Sequence, residues 1–151
     1  MFSKTAEYAL RATIYIAQKS APEKKLGIEE ISQAIGSPRS FTAKILQMLT
    51  RNNRIVSSLR GPNGGFFMND TARSLPARAI LEAVQEDDVL RKCILGLREC
   101  SEIKPCPMHS EYKIIRERLN HLFEEMTIER LAIEMSKKDI FLNNDLDTLS
   151  S

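Results

Sequence analysis

All three cysteines of the chain and one of its two histidines lie in one short segment, CILGLRECSEIKPCPMH, which runs from Cys93 to His109. Six residues separate Cys93 from Cys100, five separate Cys100 from Cys106, and His109 follows three positions later. Thiolates held this close together repel one another unless a metal ion or cluster neutralises them. Three cysteines and a histidine can complete a tetrahedral zinc site, and thiolates also hold iron-sulfur clusters. The spacing predicts a metal centre without separating these two cofactors.

Other roles for the cysteines remain open. A free cysteine often serves as a small buried hydrophobic residue, and Cys93, in VLRKCILGL, fits that role. Cys100 and Cys106 fit it less well, because RECSEIKPCPMH is polar and interrupted by proline. The odd number of cysteines and the lack of an export signal argue against a disulfide framework. Regulation by reversible thiol oxidation is the remaining redox alternative.

The composition is that of one compact domain or of a small domain with an extension. The chain has 151 residues, 42% of them hydrophobic, and no apolar run long enough to span a membrane. We therefore expect a cytoplasmic protein without membrane contact. Residues 1–75 contain 11 Lys and Arg against 5 Asp and Glu, a net charge of +6, whereas residues 76–151 contain 11 against 15, a net charge of −4. The basic half is either an ordinary solvated surface or the binding surface for a polyanion.

Hydrophobic spacing in the basic half predicts three helices. The first runs from Lys4 to Gln18 and carries enough apolar residues to be mostly buried. The second carries Ile28, Ile31 and Ile35 and ends at Gly36. The third begins in SPRS, where we expect Ser37 to be the N-cap and Pro38 the first helical residue. Two short helices joined by a tight turn are typical of a helix-turn-helix.

The segment RIVSSLRGPNGGFFM predicts a β-hairpin directly after the helix-turn-helix. Its strands are expected at residues 55–59 and 66–68, and the turn between them is rich in Gly and Pro. A helix-turn-helix followed by a hairpin is a winged helix. Arg60 lies at the predicted tip, beside Gly61, Gly64 and Gly65, whose bare backbone allows close approach to another polymer. The alternative is a flexible hairpin with a solvated Arg60.

The acidic half predicts further helices. One begins near Pro76, and a long amphipathic helix runs from about Met108 to Met126. Its apolar stripe needs a cover, either from its own domain or from the same helix of a second chain. Thr127 is expected to cap a last short helix, and the tail over residues 141–151 has no periodicity and is predicted to be disordered.

These motifs together resemble the IscR/NsrR family of bacterial winged-helix transcription regulators. The resemblance rests on SPRSFTAKILQMLTRNNRIVSSLRGPNGGFFM, on the opening SKTAEYALRATIYIA and on the cysteine segment, and it covers roughly residues 1–135. It implies DNA binding, a dimerisation role for the long helix, and a 2Fe-2S or 4Fe-4S cluster on the three cysteines. His109 matches the histidine that completes the site in IscR-like members. Glu7 matches the acidic ligand that the partner's first helix supplies in others.

One feature departs from the family pattern, because the six-residue gap between Cys93 and Cys100 is one residue longer than usual. The cluster type and the fourth ligand, Glu7 or His109, therefore stay open. His121, on the long helix, is interpreted as structural.

The sequence predicts a mainly α fold with a small β-hairpin. Residues 1–85 are predicted to form a winged helix-turn-helix, and residues 86–107 are predicted to form the cluster loop. Residues 108–140 are predicted to form the long dimerisation helix and a short terminal helix, and residues 141–151 are the tail. The predicted function is a homodimeric transcription regulator that binds a palindromic double-stranded operator under control of an iron-sulfur cluster, or else of zinc or thiol oxidation. The predicted DNA contacts are Arg39, Ser40, Thr42, Lys44, Arg60, Gly61, Gly64 and Gly65.

A metal-bound interaction module without DNA binding is the alternative from another class. An enzyme is not expected, since the sequence offers no Ser/His/Asp set, no phosphate-binding loop that opens a helix and no C-x-x-C pair.

Overall fold

The computed structural model describes residues 2–144, which form a mainly α-helical fold with one small β-hairpin, as predicted. The helices are α1 (Lys4–Lys19), α2 (Ile28–Ile35), α3 (Arg39–Leu49), α4 (Asp70–Arg73), α5 (Arg78–Ala83), α6 (His109–Glu125) and α7 (Ile128–Lys137). Strands β1 (Ser57–Leu59) and β2 (Gly65–Phe67) lie between α3 and α4. Among the described residues no helix combines the length and the hydropathy that a membrane span requires.

The turn between α2 and α3 explains how the helix-turn-helix is built. Gly36 ends α2 in the left-handed conformation with φ of 71°, which costs glycine little. The predicted cap at Ser37 is wrong: Pro38 occupies the cap position, and α3 begins at Arg39. Pro38 has extended backbone angles (φ −58°, ψ 145°) and stays outside the helix, and the Ser37 hydroxyl donates to the Pro38 carbonyl at 3.4 Å.

The hairpin is anchored to the loop before α2. β1 pairs antiparallel with β2, with Ser57 opposite Phe67. Leu26 exchanges two backbone hydrogen bonds of 2.8 Å with Phe66, so a third short segment pairs with the hairpin. Gly65 has φ of 146°, and a Cβ there would come within 2.7 Å of the Leu26 carbonyl oxygen. The close pairing with Leu26 therefore depends on glycine at this position.

The C-terminal helix completes the core of the N-terminal half. Ile128 and Ala132 of α7 are buried in the same cluster as Ile16 of α1, so the core crosses the predicted boundary at residue 85. The Thr127 hydroxyl accepts from the Arg130 N–H at 3.1 Å, which is the predicted cap.

The described part of the predicted tail packs against the fold. Leu142 is buried in the main core, and the Asn143 side-chain amide donates to the Gln33 carbonyl at 2.8 Å. Leu142 and Asn143 therefore contact the core and α2, which the tail's lack of periodicity did not indicate. The rest of the tail, residues 145–151, lies outside the described residues.

Candidate metal centre and nucleic-acid interface

The three cysteines converge in a loop between a short 3₁₀ turn, Asp87–Leu90, and the start of α6. Their sulfur atoms all lie within 4.8 Å of one another, and Cys93 Sγ is 3.5 Å from Cys106 Sγ. No other group of three or more metal-ligating side chains was found in residues 2–144. The geometry brings together residues that are 13 positions apart, so this loop is the candidate metal centre.

The surroundings of Cys93 and Cys100 give these two thiols different acidities. Burial raises the pKa of Cys93, but N–H groups of Leu95 and Leu97 and bonds with Cys106 and Cys100 outweigh it and lower the pKa to about 7. Cys100 accepts from the Cys106 N–H at 3.4 Å, which lowers its pKa. Burial and the neighbouring thiols prevail, so the pKa of Cys100 ends above its usual value. Cys93 therefore ionises more readily than Cys100.

His109 faces the cysteines from the first turn of α6. Its Nδ1 lies 3.4 Å from Cys100 Sγ, and its side chain is only 9% exposed. On the other side of the ring, Nε2 lies 3.2 Å from Glu102 Oε1, and Lys113 Nζ donates to the same oxygen at 2.6 Å. The Lys113 ammonium, and after it His109, holds the pKa of Glu102 below its usual value. The ring is therefore held with Nδ1 towards the thiols.

Glu7 has a different setting. Its carboxylate lies 3.9 Å from Lys4 Nζ, and within this chain it does not belong to the cysteine group. The start of α1 nevertheless borders the loop, because Phe2 and Ala6 line a cleft of about 480 Å³ together with Cys93 and Tyr112. Ligation by Glu7 of a partner chain stays a prediction.

The predicted DNA-contacting residues of α3 do not all reach the surface. Arg39, Ser40 and Lys44 are exposed, and Arg39 forms an ion pair with Glu29 of α2. Thr42 is fully buried, and its hydroxyl donates to the Pro38 carbonyl at 3.0 Å. Thr42 is therefore placed to hold the start of α3, and the structure does not support its predicted contact with DNA.

The hairpin presents its tip to solvent. Arg60 and Gly61 are exposed, and Gly64 and Gly65 are half-buried at the start of β2. Sequence reasoning missed Lys25, whose Nζ lies 5.3 Å from the centre of the Phe67 ring, beside the hairpin. The adjacent lysines Lys24 and Lys25 in the basic half were the available sequence signal. The pairing of Leu26 with Phe66 places these lysines beside the wing, and the sequence did not predict that pairing.

The long helix α6 exposes much of its apolar stripe. Phe123 is buried against α1, α5 and the 3₁₀ turn, whereas Ile114, Ile115 and Leu122 are 57%, 54% and 51% exposed. Leu122, Phe123 and Met126 also line a groove whose other lining residues are apolar. Packing among residues 2–144 therefore leaves one side of the helix exposed.

A helix-turn-helix with a wing, an exposed basic start of its second helix and a cysteine loop define a winged-helix DNA-binding regulator. The sequence matches the Rrf2 family, described as iron-dependent transcriptional regulator, over residues 2–134, and the chain belongs to this family. It is 29% identical over 143 residues to an Aquifex aeolicus protein assigned as an HTH-type transcriptional regulator, covering 93% of this chain and 96% of that one. It is 25% identical over 141 residues to the HTH-type transcriptional regulator IscR of Pectobacterium atrosepticum, covering 93% and 84%.

Solved structures share the fold. The global cysteine regulator CymR of B. subtilis superposes with a TM-score of 0.71 at 22% identity, covering 89% of this chain and 97% of CymR. T. potens IscR gives a TM-score of 0.68 at 15% identity, covering 93% and 91%. The family and these relatives are transcriptional regulators, which confirms the predicted family and the prediction that the protein is not an enzyme.

Proposed function

We propose that this Rrf2-family regulator binds a palindromic DNA operator as a homodimer, and that an iron-sulfur cluster on Cys93, Cys100 and Cys106 sets its affinity. The observation that carries the proposal is the convergence of the three thiols within 4.8 Å at the start of α6. The cluster would be a cofactor whose oxidation state or integrity responds to redox conditions or to nitric oxide. The residues of this chain would hold the cluster and transmit its state to the DNA-binding elements. Because such a regulator meets DNA in the bacterial cytoplasm, we propose that compartment for it.

The contacts around the loop support a route from the metal centre to the rest of the molecule. The Asn120 side-chain amide of α6 donates to the Leu90 carbonyl at 2.8 Å, and Arg116 donates to the Lys92 carbonyl at 3.2 Å. A change in the conformation of the loop at Cys93 would therefore shift α6 through these hydrogen bonds. If α6 forms the dimer contact, its shift alters the spacing between the two recognition helices.

DNA contacts in this proposal come from the exposed residues of α3 and the wing. Arg39, Ser40 and Lys44 would enter the major groove, where arginine pairs bidentately with guanine. Arg60, with the open backbone at Gly61, Gly64 and Gly65, would meet phosphate or the minor groove. Before Arg39 reaches a base it must exchange its ion pair with Glu29, which is exposed and therefore weak.

A zinc-controlled regulator is the second candidate, and the sulfur spacing fits it. Tetrahedral zinc with bonds of about 2.3 Å holds two sulfur ligands roughly 3.8 Å apart, close to the 3.5 Å between Cys93 and Cys106. In a 2Fe-2S cluster two protein ligands share each iron atom, so a separation of this size also fits two thiolates on one iron. A 4Fe-4S cluster binds each thiolate to a different iron, so it would require the loop to widen.

The visible absorption spectrum of anaerobically purified protein, with iron, sulfide and zinc assayed on the same sample, separates these candidates. The cluster proposal predicts absorption in the visible range together with iron and sulfide. A colourless protein with stoichiometric zinc would replace the proposed sensor and leave the DNA-binding function standing. A colourless, metal-free protein that also fails reconstitution would favour thiol oxidation.

We expect Ile115→Lys to convert the dimer into a monomer, because Ile115 lies on the exposed apolar side of α6. Fully burying an isoleucine contributes about 1.5–3 kcal/mol. Because Ile115 is 54% exposed in the single chain, its burial in the dimer contributes about half of that, so two copies contribute about 1.5–3 kcal/mol, a factor of at least about 10 in the dissociation constant. Sedimentation velocity measures this constant. Ile103→Lys, at a site 90% exposed in the cysteine loop, is the matched control and should leave it unchanged. Equal dimerisation of the two variants would contradict the proposed interface.

A further inference from the structure

We propose that Glu102 is a positioning residue that holds the His109 ring with Nδ1 towards the three thiols. This assignment rests on the proposed function, since it concerns the same cysteine site, and it takes His109, which matches the histidine that completes the site in IscR-like members, as the fourth ligand. Its new element is a carboxylate outside the ligand set.

The geometry around the imidazole ring carries the assignment. Nδ1 lies 3.4 Å from Cys100 Sγ, on the side of the thiols, and Nε2 lies 3.2 Å from Glu102 Oε1. A carboxylate accepts hydrogen bonds, so the proton of a neutral ring belongs on Nε2 and the lone pair on Nδ1. Metal-bound histidines commonly donate their second N–H to a carboxylate, which fixes the tautomer and the ring orientation.

Glu102 is itself fixed by Lys113. The ammonium donates to the same carboxylate oxygen at 2.6 Å, and Lys113 lies four residues after His109 on α6. Residues with this spacing share one face of a helix. The lysine also balances the negative charge that the carboxylate would otherwise add beside three thiolates. Ring, carboxylate and ammonium therefore form one chain of contacts that orients the ring from the side away from the thiols.

Two substitutions at Glu102 test the assignment against a matched control. Glu102→Ala removes the acceptor, and Glu102→Gln keeps an acceptor but removes the charge. Glu99→Ala is the control, because Glu99 lies on the same loop and is 86% exposed. Its carboxylate forms only a long, solvent-exposed ion pair of 3.9 Å with Lys104 Nζ. Each protein is reconstituted anaerobically with iron and sulfide and then reduced. Pulsed electron paramagnetic resonance, with and without ¹⁵N-histidine, detects a histidine nitrogen bound to the cluster, and a chelator challenge gives the rate of iron release.

The wild type and Glu99→Ala are expected to give a single histidine nitrogen coupling, which His109→Ala abolishes. Glu102→Ala should give a heterogeneous or weakened coupling and release iron about 10- to 100-fold faster, with Glu102→Gln between the two. Unchanged coupling and release in Glu102→Ala would overturn the role of Glu102. A wild-type cluster without histidine coupling would overturn the assignment while the cluster proposal stands. A wild-type protein that takes up no iron and sulfide would overturn the proposed cluster, and the assignment with it, while the DNA-binding function would stand.

Discussion

Cys100→Ala is expected to abolish cluster binding and, with it, control of DNA affinity. Cys100 sits between the other candidate ligands: its sulfur lies 3.4 Å from His109 Nδ1, and it belongs to the sulfur group that spans 4.8 Å. Without it two thiols and His109 remain, one ligand short of a closed tetrahedral zinc site or of the four ligands of a cluster. The affinity for the cluster should fall more than about 100-fold, since even losing an outer-shell partner costs about 10- to 100-fold in affinity, and iron and sulfide assays of the purified protein check this.

The fold should survive this change, because the thiol lies in an irregular loop outside the two hydrophobic clusters. Thermal unfolding by circular dichroism of the metal-free proteins checks this point. Ser110→Ala, a similarly small change at an exposed position of α6, should keep the iron, the sulfide and the regulation. If nitric oxide or oxidants still change the DNA affinity of Cys100→Ala, the cluster mechanism is wrong.

Arg60→Ala is expected to weaken DNA binding and to reduce its dependence on salt. Arg60 is exposed at the tip of the wing, and a dimer carries two copies. Each lost phosphate contact lowers the slope of log K against log salt by about 0.9, so two lower it by about 1.8. At 0.1 M salt this corresponds to a loss of up to about 60-fold in affinity, measurable by fluorescence anisotropy across a salt series.

Arg130→Ala is the matched control, because it removes the same charge from an exposed position of α7, outside the helix-turn-helix and the wing. The affinity and the salt slope of this variant should equal those of the wild type. An Arg60→Ala protein that behaves like Arg130→Ala would exclude the wing from the DNA interface.

Local signals in the sequence were sufficient for the elements that depend on neighbouring residues. The spacing of Ile28, Ile31 and Ile35 gave α2, and Gly36 gave its end. The Gly and Pro of RGPNGGF gave the hairpin, and Thr127 gave the start of α7. The cysteine segment identified a compact group of thiols, because ligands on one short loop come together with little help from the rest of the chain.

Features that depend on distant contacts were not predictable in this way. Thr42 was predicted to contact DNA because it is polar and lies early in α3, but its side chain is buried and its hydroxyl donates to the Pro38 carbonyl. α7 belongs to the core because Ile128 packs in the cluster that contains α1, which no local pattern specifies. The contact between Glu102 and His109 was not predictable either, since nothing in the sequence distinguishes Glu102 from other acidic residues in polar loops.

The most direct test of the account compares DNA affinity with and without the cluster in one preparation. A duplex is selected from a random pool by the protein, and the dissociation constant is measured anaerobically by fluorescence anisotropy before and after chelation of the iron. The account predicts that the two constants differ by about 5- to 150-fold, the usual range of allosteric coupling, and that the difference disappears in Cys100→Ala. Equal constants for cluster-loaded and cluster-free protein would contradict it.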